Sequence, residues 1–287
     1  MDSVTLKANA KINLGLDVLR RRQDGYHEVK MVMQSVGISD TLTFTRTEEP
    51  GIRLESDDRT LPADGSNLIS RALSLMQVTY GLEGGISVSL QKRIPIAAGM
   101  AGGSTDAAAA IHAADRLYHL GLSLEEKQAL GVKLGADVPY CLMGGTALSE
   151  GIGEILTALP PAPPACLVIA KPPVSVSTKS VYENLRLWEL ERHPDIDGMV
   201  ESIRRGDLKG IAQRMENVLE TVTIQRHPVI GQMKAFLMEA GALNALMSGS
   251  GPTVFGVFEE ERTAREAWLA MRERGFGAQV FLTGFVA

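Results

Sequence analysis

From Val4 to Val18 the chain alternates strictly between apolar and polar positions. Val4, Leu6, Ala8, Ala10, Ile12, Leu14, Leu16 and Val18 fall on one face, and Thr5, Lys7, Asn9, Lys11, Asn13, Gly15 and Asp17 on the other. A period of two predicts one or two half-buried strands, with Lys11 and Asn13 on the same side, about 7 Å apart along the strand. The charged stretch 20–25 ends in Asp24-Gly25, a hairpin signal, and Tyr26-His27 follow it directly. Further strands are predicted at 28–35, 40–46 and 52–55. At 67–80 the period lengthens, and Leu68, Ile69, Ala72, Leu75 and Met76 mark one side of a helix. Gly84-Gly85 then breaks the chain before a short alternating strand at 86–90.

That strand runs into Ile94-Pro95-Ile96-Ala97-Ala98-Gly99-Met100-Ala101-Gly102-Gly103-Ser104-Thr105-Asp106, followed by an alanine-rich helix ending near His119. Glycines permit sharp turns and close approach of a ligand to the backbone. Ser104, Thr105 and Asp106 are residue types that start helices. A glycine loop feeding a helix N-terminus offers unpaired amides and the positive end of the helix dipole, an arrangement suited to phosphate. The loop has neither Gly-Lys-Ser/Thr nor Gly-x-Gly-x-x-Gly, so it is not one of the two common nucleotide loops. By itself it reads first as a strand-to-helix connection with glycines for close packing, and a phosphate site needs support from elsewhere in the chain.

Ser123 with Glu126 predicts the start of another helix. Asp137 lies between Gly135-Ala136 and a strand-like Val138-Pro139, where an aspartate either caps a turn or is held in a site. A strand and return turn are predicted over 144–154. The run Pro160-Pro161-Ala162-Pro163-Pro164 is stiff and extended, and marks a domain boundary or hinge. Beyond it the order is a strand at 166–170 and a helix through 182–187 capped by Ser177 or Thr178. Helices at 197–205, 208–216 and 229–240 follow. Two short strands then flank the turn Met247-Ser248-Gly249-Ser250-Gly251-Pro252, and a helix at 260–274 and a strand at 279–282 close the chain. Strands and helices mixed in this way suit an α+β sandwich.

The 287 residues suffice for about two domains with cores of their own. A net charge of −5 argues against a nucleic-acid binder, whose phosphate contacts demand basic surface. Cys141 and Cys166 are too few and too isolated for a disulfide scaffold, and the five histidines show no metal-ligand spacing. No window approaches the roughly 18 apolar residues of a membrane span. The start of the chain has no basic segment followed by an apolar run. A soluble cytoplasmic protein is expected.

Taken together, Ala10-Lys11-Ile12-Asn13-Leu14, the loop from Pro95 to Ala108 and Met247 to Pro252 resemble the three motifs of the GHMP kinase superfamily. Asp24-Gly25-Tyr26-His27, Asn67-Leu68-Ile69, Ala101 to Ala108 and Leu134-Gly135-Ala136-Asp137-Val138-Pro139 are similar to its branch acting on cytidyl-methylerythritol. The resemblance covers almost the whole length. It implies an N-terminal ATP-binding domain at 1–159, like domain two of ribosomal protein S5, and a ferredoxin-like domain at 160–287. It implies ATP-dependent phosphorylation of the 2-hydroxyl of that small molecule, with Mg2+ carried by ATP and Ser104 or Thr105 as candidates to reach it, and a monomer or weak homodimer; charge and hydropathy point to no nucleic-acid or membrane partner. Other GHMP kinases acting on homoserine or mevalonate, and a non-catalytic nucleotide-binding module, are the alternatives.

Position by position, Lys11 and Asp137 match the family's catalytic pair, although on the residues alone Lys11 reads as a solvated strand lysine. A carboxylate can accept the proton of an alcohol as it attacks phosphorus, and an ammonium offsets charge on the transferring group. Asn67, Pro95, Gly99, Met100, Ala101, Gly102, Gly103, Ser104 and Thr105 match nucleotide-binding positions, with backbone amides from Pro95 to Thr105 cradling the phosphates. Asn13, Tyr26, His27, Thr178 and Tyr182 match substrate-binding positions, Tyr182 as an aromatic stacking on cytosine. Met33 stands where some relatives place a second aromatic under that base. Ala98 and Ala101 occupy positions that can be glycine, so the loop is expected to avoid positive φ at both.

Overall fold

In a computed structural model the described residues are 2–276 and 278–287. The chain begins with two long strands, β1 (Ser3–Arg21) and β2 (His27–Thr47), followed by β3 (Gly51–Ser56), α1 (Leu68–Tyr80), β4 (Gly85–Gln91) and α2 (Gly102–Tyr118). Then come α3 (Leu124–Val132), α4 (Val138–Met143), β5 (Thr146–Gly151), β6 (Ile155–Ala158), β7 (Cys166–Lys171), α5 (Thr178–Asn184) and a 3-10 turn at Leu187–Glu189. The remainder is α6 (Ile196–Arg204), α7 (Leu208–Gln213), α8 (Glu220–Arg226), α9 (Pro228–Glu239), β8 (Asn244–Met247), β9 (Val254–Phe258), α10 (Glu261–Glu273) and β10 (Gln279–Gly284).

Packing groups these elements into two compact units, and the grouping differs from a single cut at 159/160. The first comprises 1–10, 38–96 and 101–143; the second comprises 11–37, 97–100 and 144–287. Both long strands therefore pass from one unit to the other. The expected break between 28–35 and 40–46 is absent, because each half of β2 finds its own antiparallel partner. In the second unit Val29–Gln34 pair with β5, and in the first Thr41–Thr47 pair with β4.

In the first unit β4 lies between β2 and β3, parallel to β3. The connection from β3 to β4 carries α1, as parallel neighbours require a crossover. α1 packs on α2, whose alanines at 107, 108, 109, 110, 113 and 114 are all buried. A helix apolar nearly all round is a core helix. Phe44, Leu73, Met76, Ile86, Val88 and Leu117 belong to the same core. Ser123 and Glu126 form the full capping box at α3.

In the second unit β10, β7, β9 and β8 make an antiparallel sheet in that order, with α9 against β8 and β9 and α10 against β7 and β10. The expected α+β layering is thus present. α8 lies outside the expected helices, and α4 replaces the strand expected after Asp137. Pro139 is tolerated there because the amides of a first helical turn need no partner within the helix.

Candidate active site

The glycine loop departs from expectation in ways that matter chemically. Its helix starts at Gly102, two residues before the serine, and Ala101 is the N-cap with φ +58° and no side-chain cap. Ala97 also adopts φ +50°. The expectation of negative φ is therefore overturned at Ala101, at about 1–2 kcal/mol of strain for a residue carrying a Cβ. By helix geometry the amides of Ala101, Gly102, Gly103 and Ser104 have no carbonyl to reach inside the helix. Thr105 is the first to do so, donating to the Ala101 carbonyl at 2.9 Å. The turn thus presents amides at the positive end of a 17-residue helix.

Two assignments within the loop change. Pro95 has no amide hydrogen and is buried, so it cannot donate to a phosphate. Thr105 is 3% exposed and its hydroxyl donates to the Asn9 carbonyl at 2.8 Å, which makes it an anchor of the loop to β1. Met100 is buried, and its carbonyl accepts the Lys11 amide at 3.2 Å. Gly99 is held at φ +72°, and a Cβ there would run into the carbonyl of Ser248. Asn67 serves as the N-cap of α1, accepting from the Ile69 amide at 2.9 Å and donating to the Pro62 carbonyl at 2.8 Å. Its side chain therefore holds the start of the helix in place.

Lys11 is not a solvated strand lysine. It is 5% exposed, and its Nζ donates to Asn13 Oδ1 at 2.8 Å. The alternation puts both on one strand face, and burial of that face from residue 11 onward forces the ammonium to seek an oxygen. Asn13 in turn donates from Nδ2 to the Met31 sulfur at 3.1 Å. Tyr26 is exposed just after the Arg22–Gly25 turn. His27 lies with its ring centroid 5.1 Å from that of Tyr182 on α5. Burial, with Arg21 nearby, holds the His27 imidazole below its ordinary pKa, which favours the neutral ring. Thr178 opens α5, which Ser177 caps, and its hydroxyl is 2.8 Å from that of Ser250. Met33 is completely buried in β2 and offers no surface to a base.

The structure brings Lys11 together with Asn13, and His27 with Tyr182, all within the second unit. Asp137 belongs to the first unit, half-buried immediately before α4, its carbonyl accepting the Cys141 amide at 3.0 Å. A charge cluster that the chain pattern did not reveal lies beneath the start of α2. Lys92 Nζ donates to Asp40 and, at 2.8 Å, to Asp106. These side chains are 6%, 0% and 4% exposed. Burial pushes the Asp106 carboxyl up to about 7, against the opposing pull of Lys92 and with help from Asp40. Burial works against the Lys92 ammonium too, but the two carboxylates outweigh it and raise its pKa. Asp106 Oδ1 is buried without a hydrogen-bond partner. The partners of Lys92 lie 52 and 14 residues away, and no local signal links them.

Among the described residues no three His, Cys, Asp or Glu side chains stand together to hold a metal. No helix among them is long and apolar enough to cross a membrane.

Comparison with known proteins gives these features a family. The profile of the GHMP kinases N terminal domain matches residues 67–145, and that of the GHMP kinases C terminal matches 199–276. The chain belongs to the GHMP kinase family and has its two-domain fold. Its relatives narrow the class. It is 53% identical over 283 residues to the 4-diphosphocytidyl-2-C-methyl-D-erythritol kinase of Lachnospira eligens, covering 99% of this chain and 98% of that one. To the enzyme of the same name from Lachnoclostridium phytofermentans it is 52% identical over 285 residues, with the same coverage. A crystal structure of 4-(cytidine 5'-diphospho)-2C-methyl-D-erythritol kinase superposes with a TM-score of 0.85 at 32% identity, covering 99% of this chain and all of the other. Homoserine kinase from Cytophaga hutchinsonii, at 22% identity and a TM-score of 0.80, shares the fold.

Proposed function

We propose that this chain transfers the γ-phosphoryl group of ATP to the 2-hydroxyl of 4-diphosphocytidyl-2-C-methyl-D-erythritol, a step in making isoprenoid precursors by the non-mevalonate route. Full-length similarity to kinases of that name supports the substrate. The observation carrying the chemistry is Lys11, a buried ammonium on a strand whose amide bonds the Met100 carbonyl of the glycine loop.

In this reading residues 1–159 form the ATP-binding part, and the amides of the turn from Gly99 to Ser104 hold the phosphates. Asn13 orients the diol and fixes the Lys11 amine through their hydrogen bond. Tyr26, His27 and Tyr182 hold the cytidine end, with Thr178 setting the start of the helix that carries Tyr182. Asp137 accepts the proton of the 2-hydroxyl as its oxygen bonds to phosphorus, while the bond to the β–γ bridging oxygen breaks and ADP leaves. Lys11 offsets the negative charge on the transferring group. Magnesium accompanies ATP and neutralises part of the phosphate charge. The enzyme works in the cytoplasm as a monomer or weak homodimer.

A substrate panel tests this reading. With ATP and magnesium, ADP release is expected with 4-diphosphocytidyl-2-C-methyl-D-erythritol, and not with homoserine or mevalonate. Release with either of the latter reassigns the substrate, and release with none points to a nucleotide-binding module.

A further inference from the structure

The turn from Met247 to Gly251 touches segments that the proposed function assigns to different ligands. On one side, Ser248 Oγ donates to the Gly99 carbonyl at 2.9 Å, and the Ser248 carbonyl blocks any side chain at Gly99. A Cβ at Gly249 would lie 3.4 Å from the Gly99 carbonyl oxygen and 3.6 Å from Asn13 Oδ1, the oxygen that holds Lys11. On the other side, the Ser250 hydroxyl meets that of Thr178, at the first residue of α5. Tyr182, one helical turn later, packs against His27.

The turn itself is built to move as one piece. Asn217, 3% exposed, donates from Nδ2 to both the Met247 and Gly249 carbonyls at 2.8 Å, while its Oδ1 accepts the Leu219 amide. Thr223 donates to the Ser250 carbonyl at 3.1 Å. The Ser248 amide reaches Thr253, and the Gly251 amide returns to Ser248. Ser248 and Thr223 are fully buried. A close-packed turn held by this many hydrogen bonds transmits a shift at one edge to the other, because it has little slack in which to absorb it.

We propose that this turn couples the nucleotide loop to the cytidine-binding segment, so that each ligand changes the affinity for the other, with Ser248 and Ser250 as positioning residues at its two ends. Phosphates settling on the loop set the Gly99 carbonyl, Ser248 carries that position into the turn, and Ser250 passes it to Thr178 and the helix bearing Tyr182. The inference rests on the proposed substrate but makes its own demand, since an enzyme with that activity could bind its two ligands independently.

Calorimetric titration measures the coupling directly. The affinity of the intact protein for 4-diphosphocytidyl-2-C-methyl-D-erythritol is determined with and without a saturating non-hydrolysable ATP analogue and magnesium, and the reverse titration must give the same factor. Coupling of about fivefold or more is expected in the parent protein. In Ser248→Ala it should fall to within about twofold of none, while each ligand alone keeps its affinity within about threefold. Ser250→Ala cuts the same link at its other end and should do the same. The double variant should lose no more than either single one, because a chain of contacts broken once is broken. Independent binding in the parent protein, or undiminished coupling in both variants, overturns the proposal. Failure of the parent protein to bind the cytidylyl ligand at all overturns the proposed function first, and the coupling with it.

Discussion

Replacing Lys92 by methionine probes the buried cluster beneath the nucleotide loop. The substitution keeps an unbranched side chain of similar length in the same space but removes the one positive charge between two buried carboxyls. Asp40 retains the amides of Arg93 and Ile94 as donors. Asp106 loses the Lys92 bond at its Oδ2 and keeps only the neighbouring Asp40 side chain as a hydrogen-bonding neighbour, its Oδ1 having no partner. Breaking a buried ion pair from one side costs about 3–5 kcal/mol, which in a chain of this size lowers Tm by roughly 10 °C. Adding Asp106→Asn should recover about 1–3 kcal/mol by removing the stranded carboxyl.

The pH dependence supplies a second reading. A carboxyl raised from 3.8 to about 7 keeps its proton in the folded state where the unfolded chain has released it. Stability therefore falls as pH rises from about 4 to about 7, by at most about 1.4 kcal/mol per pH unit, and Asp106→Asn alone should flatten that slope. Urea denaturation across this range, followed by circular dichroism, measures both effects. A Lys92→Met protein within 1 kcal/mol of the parent, together with an unchanged pH slope in Asp106→Asn, would refute the cluster as a source of stability.

Three further outcomes are expected. Asp137→Asn should bind ATP within about threefold of the parent while kcat falls about 10²- to 10⁴-fold, and parent-like turnover removes Asp137 from the chemistry. Gly99→Ala should weaken nucleotide binding more than about tenfold, because its Cβ meets the Ser248 carbonyl, whereas Gly81→Ala, at φ +61° in open space, should cost only about 1–2 kcal/mol of stability. Tyr182→Ala should raise KM for the cytidylyl substrate about tenfold or more and leave KM for ATP alone, while Tyr182→Phe keeps the stacking surface; equal effects on both substrates would remove Tyr182 from the cytidine site.

Much of this protein is written locally. Alternation marked β1, helical spacing marked α1, and Ser123, Glu126 and Ser177 marked helix starts, because period and capping depend on residues within a few positions of one another. The glycine loop is legible in the same way. The left-handed N-cap at Ala101 is not, since only surrounding packing holds a Cβ-bearing residue there. The continuity of β2 is not legible either, because what continues that strand is a different partner for each half.

Lys11 shows the division most clearly. Its place on a polar strand face is a matter of sequence, and that face would be wet in an isolated strand. Burial from residue 11 onward is imposed by chain more than a hundred residues away, such as Ile196 and Met199, whose side chains lie against Gly15 on the same face. The Lys92 cluster and the Asn217 clamp have the same origin. Charges and amides distant in the chain become partners only when folding removes the water that would otherwise have served them.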